Sequence, residues 1–174
     1  MSSDKSEKQQ RLASRLGPEI AEFIEQQQSL ILASQGEDGF PHNSYSPFVF
    51  YQAEFFVFIS DISKHAHYLR AHEKAALMLI EDETSSQQIY ARKRLSYEVI
   101  AQQVDAEPRE QVLDLLAKRH GDIVENLRQL SDFKLFRLTP INGRYVKGFG
   151  QAFDIKGYDD VDFVHLKEGH KKRA

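Results

Sequence analysis

The sequence has 174 residues, a formal net charge of −3 and no cysteine. This length suits one domain over residues 1–174, and the weak acidity argues against a nucleic-acid partner. The absence of cysteine excludes disulfides, cysteine-based zinc sites and iron–sulfur clusters, and no apolar run is long enough to span a membrane, so we expect a cytoplasmic protein.

The first elements are predicted to be helical and then extended. Apolar residues at spacings of three and four predict helix from Ser3 to Gln28, broken at Gly17-Pro18, so we expect two short N-terminal helices. Three apolar runs follow, the first two joined by a glycine-containing turn, and they predict antiparallel strands over residues 29–34, 41–50 and 55–59.

Residues 62–72 are predicted to form a helix that carries His65, His67 and His72. No two of these histidines are four residues apart, and no carboxylate stands where a metal site would need it. We therefore expect solvated surface histidines rather than ligands of zinc or iron. A buried strand at 75–80 and a solvated acidic loop at 81–86 follow.

The segment from Gln88 to Val104 is predicted to be a long strand, because apolar and polar residues alternate along it. Arg92 and Arg94 lie on its polar face, which would hold the two guanidinium groups roughly 7 Å apart. Such a pair can bind carboxylates or a phosphate bidentately. The alternative is an exposed strand face whose charges only keep the protein soluble.

The final strand is predicted to run from Asn142 to Asp154 and to contain Gly148 and Gly150. Glycine inside a strand usually marks a bulge or a place where something approaches the backbone closely. We therefore expect a flat or bulky ligand to lie against this strand.

Two helices separated at Gly121-Asp122 are predicted within residues 108–130, and a short strand at 133–138 completes the pattern. Six or seven short strands joined by hairpins, without strand–helix–strand alternation, favour a closed or partly closed antiparallel barrel over a parallel α/β fold. Common enzyme motifs, such as a phosphate-binding glycine loop or a nucleophilic serine elbow, are missing from the sequence.

Four segments are informative in combination: residues 63–69 (SKHAHYL), 89–96 (IYARKRLS), 144–152 (RYVKGFGQA) and Gly169-His170. With them, the chain resembles the bacterial haem-utilisation proteins of the HutZ/HugZ type along nearly its whole length. The resemblance implies a mainly β fold with helices, an antiparallel split β-barrel related to the flavin-binding pyridoxamine-phosphate oxidases, assembled as a homodimer.

The same resemblance implies a function and its residues. Haem would bind between the subunits as both substrate and cofactor, and would be degraded to a biliverdin-like product with O2 and an external electron donor, releasing iron. His170, in a C-terminal haem-binding tail over residues 155–174, would be the axial ligand of the iron. Asp132 of the other subunit would hydrogen-bond that histidine, and Arg92 would lie near the haem.

The resemblance also implies contacts to the rest of the haem. Arg92 and Arg94 would meet its propionates or polarise bound oxygen, and the strand around Gly148, Phe149 and Gly150 would approach the porphyrin. Lys147 departs from the expected pattern, because a small residue is expected before Gly148.

Three alternatives stay open. The first is an FMN-dependent oxidoreductase of the same split-barrel family: flavin-binding members hold the FMN phosphate near the positions of Ser63-Lys64 and on the Arg92-Arg94 strand, and this chain has basic groups at both. The second alternative is a non-catalytic haem carrier. The third concerns only Asp132, which would serve as a cap at a helix boundary.

Overall fold

The computed structural model of the chain describes residues 2–158 and 160–162. The helices of this part are α1 (Ser2–Gln26), α2 (Lys64–Ala71), α3 (Arg109–His120) and α4 (Ile123–Arg128). The strands are β1 (Ser29–Gln35), β2 (Pro41–Pro47), β3 (Val49–Tyr51), β4 (Glu54–Ser60), β5 (Lys74–Ile80), β6 (Arg94–Gln103), β7 (Phe133–Gly148), β8 (Gln151–Lys156) and β9 (Asp160–Asp162). None of the described helices is both long and apolar enough to cross a membrane.

All the strands belong to one curled antiparallel sheet with the order β2-β1-β5-β6-β7-β4-β3, and β8 and β9 extend it from β7. The long strand β7 organises the sheet, since β6 pairs along most of its length. On the other side of β7, its first half pairs with β4 and its second half with β8. The sheet therefore divides at β7, and the predicted mainly β split barrel is confirmed.

Two apolar clusters hold the helices on opposite faces of this sheet. Helix α1 packs through Leu16, Ile20 and Phe23 into the inner cluster, together with the inward side chains of β1, β5 and β6. Helices α3 and α4 pack on the outer face of β4 and the start of β7. Strand β4 is buried on both faces, which explains why it is the most apolar segment of the sequence.

The predicted break at Gly17-Pro18 is wrong, because α1 is one helix with Pro18 inside it. An internal proline removes a helical hydrogen bond and typically costs about 3 kcal/mol. Leu16 and Ile20, on either side of Pro18, are both buried in the same cluster. Packing of the two halves against one core therefore keeps the helix continuous.

The predicted separation of the strand at 133–138 from the final strand is also wrong, because β7 continues through Pro140. Val99 pairs with Pro140 and Glu98 pairs with Asn142, so Ile141 is left over as a bulge. A bulge is one of the few places where a sheet accommodates proline, which has no N–H to donate.

The predicted final strand is divided in two. Strand β7 ends at Gly148, β8 begins at Gln151, and Gly150 takes a left-handed φ of 69° in the turn between them. The expectation of a bulge at the glycines is confirmed by a register shift between Val146 and Gly148. The glycines thus serve a tight hairpin, which places Phe149 at its tip.

Candidate functional site

A cleft of about 600 Å³ lies at the end of β7, between α1, the segment 81–93 and the β7–β8 turn. Gly148 and Phe149, both predicted site residues, line it. The Phe149 side chain is largely exposed, so its ring offers an apolar surface to anything that enters. The other lining residues are mostly polar or charged: Glu19, Glu81, Ser85, Gln87, Gln88, Ala91, Lys93 and Lys147.

Glu19 of α1 joins the helix to the end of β7 at this cleft. Its carboxylate accepts hydrogen bonds from Tyr145 Oη at 2.8 Å and from Lys147 Nζ at 2.7 Å. This pairing explains how a lysine replaces the small residue expected at position 147. Glu19 was not predicted as a site residue, because an isolated glutamate on a helix resembles any surface residue.

Glu19, Tyr145 and Lys147 form a hydrogen-bonded network in which the contacts set the charge of each acidic group. Burial by itself raises the pKa of Glu19, but the hydrogen bonds from Lys147 and Tyr145 and the nearby lysine charges outweigh it and bring the pKa below its ordinary 4.5. Burial, followed by the bond to Glu19, raises the pKa of Tyr145 well above its ordinary value. Near neutral pH, an ionised Glu19 therefore faces a neutral Tyr145.

This network predicts a pH-dependent contribution to stability. Since the pKa of Glu19 is lower in the folded state, its contribution is complete above pH 4.5 and is lost as the pH falls through the folded-state value. We expect Glu19→Gln to unfold more easily than the parent near pH 7, and this difference to shrink as the pH falls below 4.5. Urea unfolding of both proteins across this range measures the effect, and a difference that stays constant with pH would contradict it.

Arg92 lies beside the cleft but not on a strand. Residues Ile89–Ala91 form a short 3-10 turn and β6 begins only at Arg94, so the predicted pair of arginines on one strand face is wrong. Arg92 donates to the carbonyl of Glu81 through Nε, at 3.1 Å, and through Nη2, and its Nη1 lies 3.2 Å from Glu83 Oε1. Arg94 donates to the Arg92 carbonyl at 3.2 Å. Arg92 thus joins the two ends of the segment 81–93, which forms one wall of the cleft.

Asp132 lies at the opposite end of β7, just before its first residue. Its Oδ2 accepts a hydrogen bond of 2.6 Å from Ser60 Oγ, and its backbone carbonyl accepts from the Asp61 N–H at 2.7 Å. Helix α4 has already ended at Arg128, so the helix-cap alternative is wrong. The cleft lies at the other end of β7, and Asp132 is not among the residues that line it.

The histidines that were considered as metal ligands do not form one group. His170 lies outside the described residues. His65 Nδ1 is 2.9 Å from Ser44 Oγ, and burial followed by the charge of His42 lowers its pKa, so the prediction of a solvated surface residue is wrong for His65. His67 is exposed and pairs with Glu37. Within residues 2–158 and 160–162, no three histidine or carboxylate side chains are grouped as metal ligands.

In the flavin alternative, the FMN phosphate would be held by the Ser63-Lys64 segment and by Arg92. Within the described chain, these groups make no hydrogen bond to each other. Ser63 Oγ donates to the Ser60 carbonyl, whereas the hydrogen bonds of Arg92 go to Glu81 and Glu83. The two groups that would hold the phosphate therefore have separate partners.

Comparison with known proteins gives consistent matches. Residues 16–147 match the pyridoxamine 5′-phosphate oxidase family. The chain is 48% identical over 171 residues to the haem oxygenase HutZ of Vibrio cholerae, covering 97% of each chain. A crystal structure of HutZ from the same organism, described as a haem storage protein, has a TM-score of 0.67 and 44% identity over 71% of this chain and 88% of that one. The crystal structure of Campylobacter jejuni ChuZ has a TM-score of 0.83 and 32% identity over 92% of this chain and 67% of that one.

Proposed function

This chain belongs to the pyridoxamine 5′-phosphate oxidase family, and from that premise we propose that it is a cytoplasmic haem-degrading enzyme. It binds haem and converts it, with O2 and electrons from an external donor, into a biliverdin-like product, releasing the iron. The observation that carries this proposal is the similarity along nearly the whole chain to a protein named haem oxygenase.

The residues of the cleft fit haem as a ligand. Its volume of about 600 Å³ lies within the range of roughly 300–1,000 Å³ that small-molecule sites occupy. The exposed Phe149 ring suits the face of a porphyrin, and Lys93 offers positive charge for its carboxylates. When bound, haem supplies the iron at which O2 is activated. Arg92, at the wall, retains N–H donors beyond those used on Glu81 and Glu83.

In this proposal the site is completed by a second copy of the chain. His170 of one copy ligates the haem iron, and Asp132 of the other accepts the N–H of the second ring nitrogen, which fixes the tautomer of the imidazole. The position of Asp132, at the far end of β7 from the cleft, supports this arrangement, because a second chain can supply what one chain keeps apart.

The outer face of the sheet supports a homodimer. Ile31 pairs with Tyr45 of β2 and with Met78 of β5, and these three side chains lie in one row across the outer face. The exposed fraction of Tyr45 is 70% and that of Ile31 is 37%, which leaves an apolar surface for a second copy to cover. Analytical ultracentrifugation tests the dimer, and a monomer at micromolar concentration would contradict it.

The direct test of the function is aerobic turnover. Purified protein is loaded with haem, a reductant is added in air, and the Soret band is followed together with the absorption of the bile pigment. An enzyme loses the Soret band as a stable pigment forms, and an anaerobic sample keeps it. Loading with FMN instead of haem tests the flavin-dependent oxidoreductase.

A haem storage protein is the second candidate, because the solved HutZ structure is described in those words. A carrier would keep its Soret band in the same experiment, apart from the slow loss that free haem also shows. Equal rates for protein-bound and free haem would therefore favour storage over degradation.

Arg92→Ala is expected to slow the conversion of bound haem more than it weakens haem affinity. Removing one donor aimed at developing charge typically costs about 10²–10³ in rate. We expect a single-turnover rate roughly 100-fold lower, with a smaller change in the dissociation constant from a Soret titration. Glu83→Gln is the matched control, since it removes only the ion pair of Arg92 and leaves the guanidinium in place. A large loss of affinity with normal turnover of the bound fraction would instead assign Arg92 to the propionates.

A further inference from the structure

Ser60 at the end of β4 makes a side-chain hydrogen bond to Asp132, 72 residues later in the chain. Ser60 pairs with Phe133 in the sheet, so its hydroxyl is held next to the residue that precedes β7. The backbone strengthens this contact, because the Asp61 N–H donates to the Asp132 carbonyl at 2.7 Å. Asp132 is therefore held by two successive residues, the last residue of β4 and the one that follows it.

The direction of the Ser60 hydroxyl follows from its other contact. Ser60 Oγ accepts a hydrogen bond of 3.2 Å from the Ile62 N–H, which occupies a lone pair of the oxygen. A serine hydroxyl has a single proton to donate, and here Asp132 Oδ2 receives it at 2.6 Å. The hydroxyl thus has its donor and acceptor roles assigned by the fold and holds one carboxylate oxygen in place.

The second carboxylate oxygen has no such contact. In the part of the chain that the structure describes, Asp132 Oδ1 accepts no hydrogen bond, and Asp132 is only partly buried. With Oδ2 fixed by Ser60, rotation of the carboxylate is restricted and Oδ1 keeps one direction. A carboxylate held in this way is prepared to accept one further hydrogen bond from outside its own chain.

We propose that Ser60 is the positioning residue for Asp132, holding Oδ2 so that Oδ1 accepts the imidazole N–H of His170 from a second copy. This inference rests on the proposed function. Residues that orient a group hydrogen-bonded to a metal ligand commonly change metal affinity or activity by about 10–100-fold. In this proposal Ser60 acts only through its hydrogen bond to Asp132.

The test is a set of variants of the haem complex read by resonance Raman spectroscopy. The iron–imidazole stretching frequency of the reduced complex reports how strongly the second ring nitrogen is hydrogen-bonded to an acceptor. We expect Asp132→Asn to lower this frequency and Ser60→Ala to lower it by a smaller amount. Ser60→Ala is also expected to reduce turnover about tenfold while changing haem affinity much less. Ser60→Thr, which keeps the hydroxyl, should restore both values.

Thr139→Val is the matched control. Thr139 of β7 donates to Glu54 Oε1 of β4 at 2.7 Å, so this variant also removes a hydroxyl–carboxylate bond between the same two strands, without touching Asp132. It should leave the stretching frequency and the turnover unchanged. Adding Ser60→Ala to Asp132→Asn should have no further effect, because the first substitution acts only through the second position.

Each outcome has a distinct meaning. If Asp132→Asn lowers the frequency and Ser60→Ala changes it no more than Thr139→Val does, the role of Ser60 is wrong and the proposed function stands. If Asp132→Asn leaves the frequency unchanged, the proposed role of Asp132 is wrong, and that of Ser60 with it. Should Ser60→Ala fail to fold, Ser60→Cys keeps the side-chain shape with a weak donor and is expected to shift the frequency in the same direction.

Discussion

His170→Ala is expected to weaken haem binding and to abolish turnover while leaving the fold intact. The imidazole of His170 is the proposed ligand of the haem iron, and it is the ligand that a cysteine-free chain would most simply use. The substitution removes it. Both apolar clusters of the described chain lie within residues 16–155, and the described sheet ends at Asp162, so we expect the folded domain to form without this side chain. Soret titration measures the binding, and thermal unfolding of the haem-free protein measures the stability.

Two controls make the His170 result specific. His67→Ala removes an exposed imidazole on α2, which pairs with Glu37, and it should leave the haem spectrum unchanged. Free imidazole added to His170→Ala should restore part of the original spectrum by occupying the vacated ligand position. An unaltered spectrum and normal turnover in His170→Ala would remove this residue from the site.

Asp132 substitutions are expected to give the second large effect. Asp132→Asn removes the charge that, in the proposed arrangement, strengthens the imidazole as a donor to iron, and Asp132→Glu changes the reach of the carboxylate, so both should reduce turnover. Activity should suffer more than folding, because Asp132 is only partly buried and makes one side-chain hydrogen bond within the described residues. Normal turnover in both variants would leave Asp132 as a structural residue.

The cross-subunit pairing can be tested by mixing chains. A heterodimer of His170→Ala and Asp132→Ala chains contains one complete site, so we expect about half the activity of the parent dimer, although each homodimer is inactive. The reverse mixture is the control: a chain with both substitutions, paired with a parent chain, has no complete site and should be inactive. Activity in the control and none in the first heterodimer would show that both residues act within one chain.

The sequence alone predicted the elements whose pattern is local. The alternation of Leu95, Tyr97, Val99 and Ala101 predicted the buried face of β6, and all four are buried. Gly121-Asp122 correctly separated α3 from α4. These predictions succeed because side-chain period and the conformational freedom of glycine act over a few residues. Gly148 and Phe149, which the family resemblance implied as haem-contacting residues, both line the cleft, and their contact with haem stays a prediction.

The tertiary structure decided what depends on distant partners. Local rules place breaks at Pro18 and Pro140, but burial of Leu16 and Ile20 in one core and a bulge at Ile141 carry the chain through both. Glu19 meets Lys147 across 128 residues and Ser60 meets Asp132 across 72, so neither contact has a signal in the neighbouring sequence. Ser60 meets Asp132 because sheet register aligns the end of β4 with the start of β7, and Glu19 meets Lys147 because α1 packs beside the end of β7. Both arrangements are set by the packing of the whole sheet and its helices.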